Sequence, residues 1–142
     1  MSQSSRQSYT FDQLVAQQLS IGQSQVHCRE LRLNASSDIV LTESQSGVVI
    51  HVVRNGIRVS LPTRPRAGTT FKIRNTISPC TFVIMLSQED SFFGGNISET
   101  PEGTSLRCLQ GEIGDEVTFV ADGIDGYVIT SLIGSKWSPI RV

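Results

Sequence analysis

Every second residue of "IRVSL" is apolar: Ile57, Val59 and Leu61 alternate with Arg58 and Ser60. The same period returns in "TTFKIRN", where Phe71 and Ile73 alternate with Lys72 and Arg74. It returns again in "SLRCLQG", where Leu106 and Cys108 take one face and Arg107 and Leu109 the other. A period of two places alternate side chains on opposite faces of an extended chain, so each run reads as a half-buried β-strand. "VHCRELRLN" follows the pattern with Cys28, Leu31 and Leu33 inward, and "DIVLT" adds a short strand. "GVVIHVVR" and "TFVIMLS" are apolar on both faces, as strands buried on both sides are.

Turn formers separate these runs. Asn55-Gly56 has the composition of a two-residue hairpin between "GVVIHVVR" and "IRVSL". "PTRPRAG" reads as a loop, and "FFGGNISETPEGT" as a long glycine-containing one. "GDEVTFVADG" and "GYVITSLIG" form a last hairpin around Asp122 to Gly126, and "SKWSPIRV" adds an edge strand limited by Pro139. Few charges and many β-branched residues agree with this pattern. The expected fold is all-β: an antiparallel β-sandwich or jelly roll of about eight strands over residues 26–142.

Residues 1–25 are of a different kind, rich in Ser and Gln. In "TFDQLVAQQLSIG", Phe11, Leu14, Val15 and Leu19 fall near helical spacing. Thr10 and Gln13 form a capping-box pattern and Gly22 a stop. The spacing predicts a short amphipathic helical or extended arm. So short a helix is marginal alone in water, so its apolar stripe requires a surface, its own β domain or a neighbouring subunit. The polar start lacks the apolar stretch of a signal peptide, and no apolar run approaches the roughly 18 residues of a membrane span. The expectation is a chain kept in a reducing cytoplasm, with no membrane partner.

Net charge is -1, yet the charges are segregated. From Ser44 to Gln88 there is no acid, while Arg54, Arg58, Arg64, Arg66, Lys72 and Arg74 are present. From Glu89 to Asp125 there are nine acids, Glu112, Asp115, Glu116, Asp122 and Asp125 among them, against Arg107 alone. Such a split is either a solvated surface or a pair of complementary patches on neighbouring copies. The basic patch is expected at Arg58, Arg64, Arg66, Lys72 and Arg74, and the acidic one at Glu112, Asp115, Glu116, Asp122 and Asp125. A nucleic-acid site wants aromatics among its basic residues; Phe71 is the one aromatic there and sits in the inward phase, so no nucleic-acid partner is expected.

No catalytic constellation is visible. His27 and His51 stand apart, and no HxH, HExxH, GxSxG, P-loop or GxGxxG occurs. Cys28, Cys80 and Cys108 are odd in number and lack a CxxC, which reads as three buried thiols rather than a disulfide or zinc framework, with a Cys80–Cys108 pair as the alternative if the chain meets an oxidant. The chain is expected to be no enzyme, with no cofactor, catalytic residue or metal. Trp137, Tyr127, Phe92 and Phe93 would stack on sugars if exposed; burial in a core or interface is the expected state.

Two segments carry a resemblance. "SGVVIHVVRNGIRVSLPTRPRAGTTFKIRNT" resembles a pattern of small virus and phage particle proteins, in Val59, Leu61, Pro62, Ala67, Gly68, Phe71 and Ile73. "GDEVTFVADGIDGYVITS" resembles the closing hairpin of the same proteins, in Gly114, Val117, Phe119, Asp122, Gly123, Tyr127 and Ile129. The likeness spans about residues 38 to 134. It implies a capsid decoration (cement) or head-fibre type β-sandwich, assembled as a homotrimer. It further implies a structural virion protein that binds and stabilises the capsid. The major capsid protein or other virion proteins would be its partners, and the virion, assembled in the host cytoplasm, its location. The same resemblance allows a receptor- or glycan-binding domain of a viral fibre.

Overall fold

The structure, a computed structural model, describes residues 30–141. The expected arm, with Phe11, Leu14, Val15 and Leu19, lies outside the described residues, as do His27 and Cys28. The described residues form eleven strands: β1 (Arg32–Ala35), β2 (Ile39–Val40), β3 (Val49–Val52), β4 (Arg58–Ser60), β5 (Thr70–Asn75), β6 (Cys80–Met85), β7 (Ser91–Gly94), β8 (Thr104–Gly111), β9 (Glu116–Ala121), β10 (Gly126–Ile133) and β11 (Trp137–Arg141). They make two sheets, with strand orders β1-β3-β5-β9-β10-β7 and β11-β8-β6-β4-β2. The two pack face to face, so the all-β sandwich stands.

Pairing directions are mixed rather than antiparallel throughout. Up to β6, successive strands alternate between the sheets. β1, β3 and β5 run parallel in the first sheet, and β2, β4 and β6 run parallel in the second. The later strands add antiparallel: β9 on β5, β10 on β9, β8 on β6 and β11 on β8. β7 returns parallel to β10. These parallel pairs and this strand order differ from those of an antiparallel jelly roll.

The Asn55-Gly56 turn shows why. It does not close a hairpin; it carries the chain from β3 in one sheet to β4 in the other. Asn55 Oδ1 accepts the Thr81 N–H (2.7 Å), and the Gly56 N–H donates to the Thr81 carbonyl (2.8 Å). The polar groups of the turn are thus satisfied by β6 and not by the strands it joins. Alternation assigns a residue to a face; it does not say which sheet owns that face.

The core lies between the sheets. The first supplies Ile50, Val52, Phe71, Ile73, Phe92, Val117, Phe119, Tyr127 and Ile129, and the second Val59, Phe82, Ile84, Leu106 and Cys108, all buried. Each large apolar side chain so buried contributes about 1.5–3 kcal/mol. Phe119 meets Phe92 (centroids 6.2 Å apart) and Tyr127 (5.8 Å) edge to face. Trp137 on edge strand β11 stands edge-on to Phe82 at 5.7 Å and donates its Nε1–H to the Ile133 carbonyl. Leu33 packs against the core as expected, but Leu31 falls just before β1 and is exposed. Phe92 and Phe93 also depart from expectation: they lie in strand β7 rather than in a loop.

Two connections are tied together at one end of the sandwich. The Gly68 N–H donates to the Ala121 carbonyl, and the Ala121 N–H to the Thr69 carbonyl. The Tyr127 hydroxyl donates to the Pro62 carbonyl at 2.9 Å. Gly126 sits at φ +146 against Ser91, where an added Cβ would strike the Ser91 carbonyl oxygen. Here glycine is required by close approach as well as by backbone angle.

Candidate functional site

At this end the Pro62–Thr69 loop, the β9–β10 turn and the segments flanking β7 enclose a groove of about 360 Å³. Its lining is Arg64, Pro65, Glu89, Asp90, Glu102 and the stretch from Gly123 to Gly126. Six of the fourteen residues that carried the resemblance meet here, since Pro62, Ala67, Gly68, Asp122, Gly123 and Tyr127 all belong to the tied connections.

Each wall has a local cause. Asp122 Oδ1 accepts three N–H groups, from Ile124 (2.7 Å), Asp125 (2.9 Å) and Gly126 (3.1 Å). Partial burial works to raise its pKa, but those backbone donors outweigh it and hold the carboxyl below its ordinary range. Asp122 is therefore a turn clamp, not a free patch carboxylate. Asp90 is buried, and its Oδ2 accepts the Arg64 N–H (3.1 Å) and the Ser87 hydroxyl (3.0 Å). Arg64 and Glu89 pair across the rim at 2.6 Å with both side chains exposed. Four carboxylates, from Glu89, Asp90, Glu102 and Asp125, face one guanidinium, so the groove is acidic. Ile124 stands beside it at the tip of the clamped turn and is 84% exposed.

The expected basic patch is not one surface. Arg58 projects from the outer face of the second sheet, whereas Lys72 and Arg74 lie on the outer face of the first. Arg64 and Arg66 sit in the connection between them. The crossovers at Asn55-Gly56 and Pro62–Thr69 are the reason: they put β4, with Arg58, in a different sheet from β5, with Lys72 and Arg74. Arg66 is exposed and pairs with Glu43 at 3.5 Å.

The acidic set is divided as well. Glu116 lies directly opposite Arg74 in the β5–β9 register, and its Oε2 accepts from Arg74 Nε (2.8 Å) and Nη2 (2.7 Å). Arg74 Nη1 also reaches His51 Nε2 at 3.2 Å. Two residues expected to meet across copies thus meet within one chain. Asp115 is buried at the opposite end, where Oδ2 accepts the Glu112 N–H (2.9 Å) and lies 3.9 Å from Cys108 Sγ. It serves the β8–β9 turn. The Glu112 carbonyl accepts from Asn75 Nδ2 in the same turn. Asp125 alone of the five belongs to the groove.

Of the aromatics, Tyr127 and Phe92 are in the core and Trp137 is committed to Phe82, while Phe93 is 42% exposed. Cys80 and Cys108 are buried free thiols; burial, then the charge of Asp115, pushes Cys108 up to about 12. Among the described residues no three of His, Cys, Asp and Glu are placed to hold a metal ion. Glu89, Asp90, Glu102 and Ile124 were not singled out from sequence. Ile124 left one signal: it is a large apolar residue inside "DGIDG", where turn formers are otherwise unbroken. No family model matches the chain, and no curated protein matches it.

Proposed function

We propose that this chain is a non-enzymatic structural protein of a virus or phage particle, a decoration or minor capsid protein that binds the capsid and stabilises it as a trimer. One observation carries the reading. Phe93, Val128 and Val120 stand side by side on β7, β10 and β9, facing out from the first sheet. An apolar row across three adjacent strands is what a surface made to be covered by another protein presents. A partner covering it gains apolar burial without rearranging a sheet already held by its core. The resemblance on Leu61-Pro62, Ala67-Gly68 and the closing hairpin points to particle proteins as the setting. The sugar-binding alternative gains nothing from Tyr127, Phe92 or Trp137, whose rings are engaged inside the domain.

Quantitative mass spectrometry of purified particles tests the proposal. The chain is expected at a copy number in simple ratio to the major capsid protein. Phe93→Lys is expected to lower particle occupancy about tenfold while leaving the unfolding midpoint of the free chain nearly unchanged. Particles that contain no copies, or that bind the variant as well as the parent chain, would overturn it.

A further inference from the structure

The five strands of the second sheet carry three charged residues, and all are arginines: Arg58, Arg107 and Arg141. Arg141 is occupied by the Glu102 carbonyl and the Thr104 hydroxyl. Arg58, Val83 and Arg107 stand next to one another across β4, β6 and β8 on the outer face, with Met85 one row on. Neither Arg58 nor Arg107 makes an ion pair among the described residues, and Arg107 Nε is buried without an acceptor. Asp38, at the edge, accepts the Arg58 backbone N–H at 2.9 Å.

The β9–β10 turn is the converse surface. Ile124 is the most exposed of the large apolar residues among the described ones and is held rigid by the Asp122 clamp. The Asp125 and Glu102 carboxylates beside it make no ion pair among the described residues. One end of the domain therefore offers a rigid apolar knob between unpaired carboxylates, and one face offers an apolar strip between unpaired guanidiniums.

We propose that these two surfaces bind each other between copies: the turn of one chain docks on the outer face of the second sheet of the next. Ile124 lies against Val83 and Met85, with Asp125 and Glu102 opposite Arg107 and Arg58. The first sheet is the poorer target, because the guanidinium of Arg74 there is already engaged by Glu116. A rigid turn loses little conformational entropy on docking. Because turn and face are different surfaces, the contact is head-to-tail and generates a ring where the rotation closes. The inference deepens the assembly reading above and rests on it.

The test is a charge exchange in the full chain, read by sedimentation velocity from about 1 to 100 µM, where a micromolar contact passes from weak to nearly saturated. The parent chain is expected to assemble with concentration. Asp125→Arg and Arg107→Glu are each expected to weaken assembly about tenfold or more, and the double exchange to recover most of the loss. Ile124→Ser, which leaves the clamp intact, is expected to weaken it without a charge change. Far-UV circular dichroism and the unfolding midpoint confirm that each variant is folded. A parent chain monomeric throughout, or folded single variants that assemble like it, would overturn the contact. So would a double exchange no better than either single. Particle binding in the same samples separates this contact from the particle role. Recovery of mass without particle binding removes the role and keeps the contact, and particle binding by a monomeric parent does the reverse.

Discussion

Truncating Arg74 and Glu116, singly and together, tests whether the chain's opposite charges act within the fold. The two lie opposite each other on β5 and β9, joined through Nε and Nη2 to one carboxylate oxygen at 2.8 and 2.7 Å. Their side chains are 29% and 12% exposed, so the pair is largely covered. An exposed pair would couple by about 0–1 kcal/mol. Hydrogen bonds to charged groups that are largely shielded are worth about 1.5–3 kcal/mol. For this geometry the expected coupling is about 1–2 kcal/mol. Glu116→Ala alone should cost more than the coupling, about 2–3 kcal/mol, because it takes the carboxylate from a largely covered guanidinium. The assay is urea unfolding followed by the fluorescence of the single tryptophan, Trp137, at about 0.1 and 1 M salt, where the screening length falls from about 10 to 3 Å. A covered pair should keep at least half its coupling at high salt. Coupling below about 0.3 kcal/mol would refute an intrachain latch. So would coupling seen in oligomer dissociation but not in unfolding, which would return these residues to an interface between copies.

Phe119→Ala removes a fully buried ring and both of its edge-to-face contacts, and should cost about 3–5 kcal/mol by urea unfolding; a loss under about 1.5 would mean that the core collapses around the gap. Asp122→Ala deprives three N–H groups of their acceptor and should cost about 1–2 kcal/mol, with faster amide exchange at Ile124, Asp125 and Gly126. Because the folded pKa of Asp122 is depressed, the contribution of its charge is present above the unfolded carboxylate range. It is lost as pH falls through the lower folded value, so parent and variant should converge in acid. Cys108 behaves in the opposite sense. Its folded pKa is raised from 9.0 to about 12, so the unfolded thiol ionises first and stability should fall as pH rises between those values. A disulfide-exchange reagent at pH 8 should leave Cys80 and Cys108 untouched in the folded domain and label both in urea. Rapid labelling of Cys80 or Cys108 in the native protein, located by peptide mapping, would contradict the burial.

Sequence carried the faces of this fold and lost its sheets, and the two outcomes have one physical origin. The two-residue period records which side chains leave water, so Val59, Phe71, Ile73, Leu106 and Cys108 were legible as core from alternation alone. It records nothing about partners, which depend on contacts distant in sequence. Arg58 and Lys72 occupy the same phase of neighbouring runs, yet the Pro62–Thr69 connection crosses between the sheets and puts them on opposite outer faces of the sandwich. The charge blocks failed as a patch map for the same reason. Basic β5 and acidic β9 became adjacent strands, and the Arg74–Glu116 pair spans 42 residues of chain. Complementarity between the blocks was real, but part of it is consumed inside the fold. Among the described residues, Arg58, Lys72 and Arg107 on the strands, and Asp125 and Glu102 around Ile124, are part of the remainder that makes no ion pair. Locating that remainder required knowing which charges the register had already paired, and register is the property that alternation leaves open.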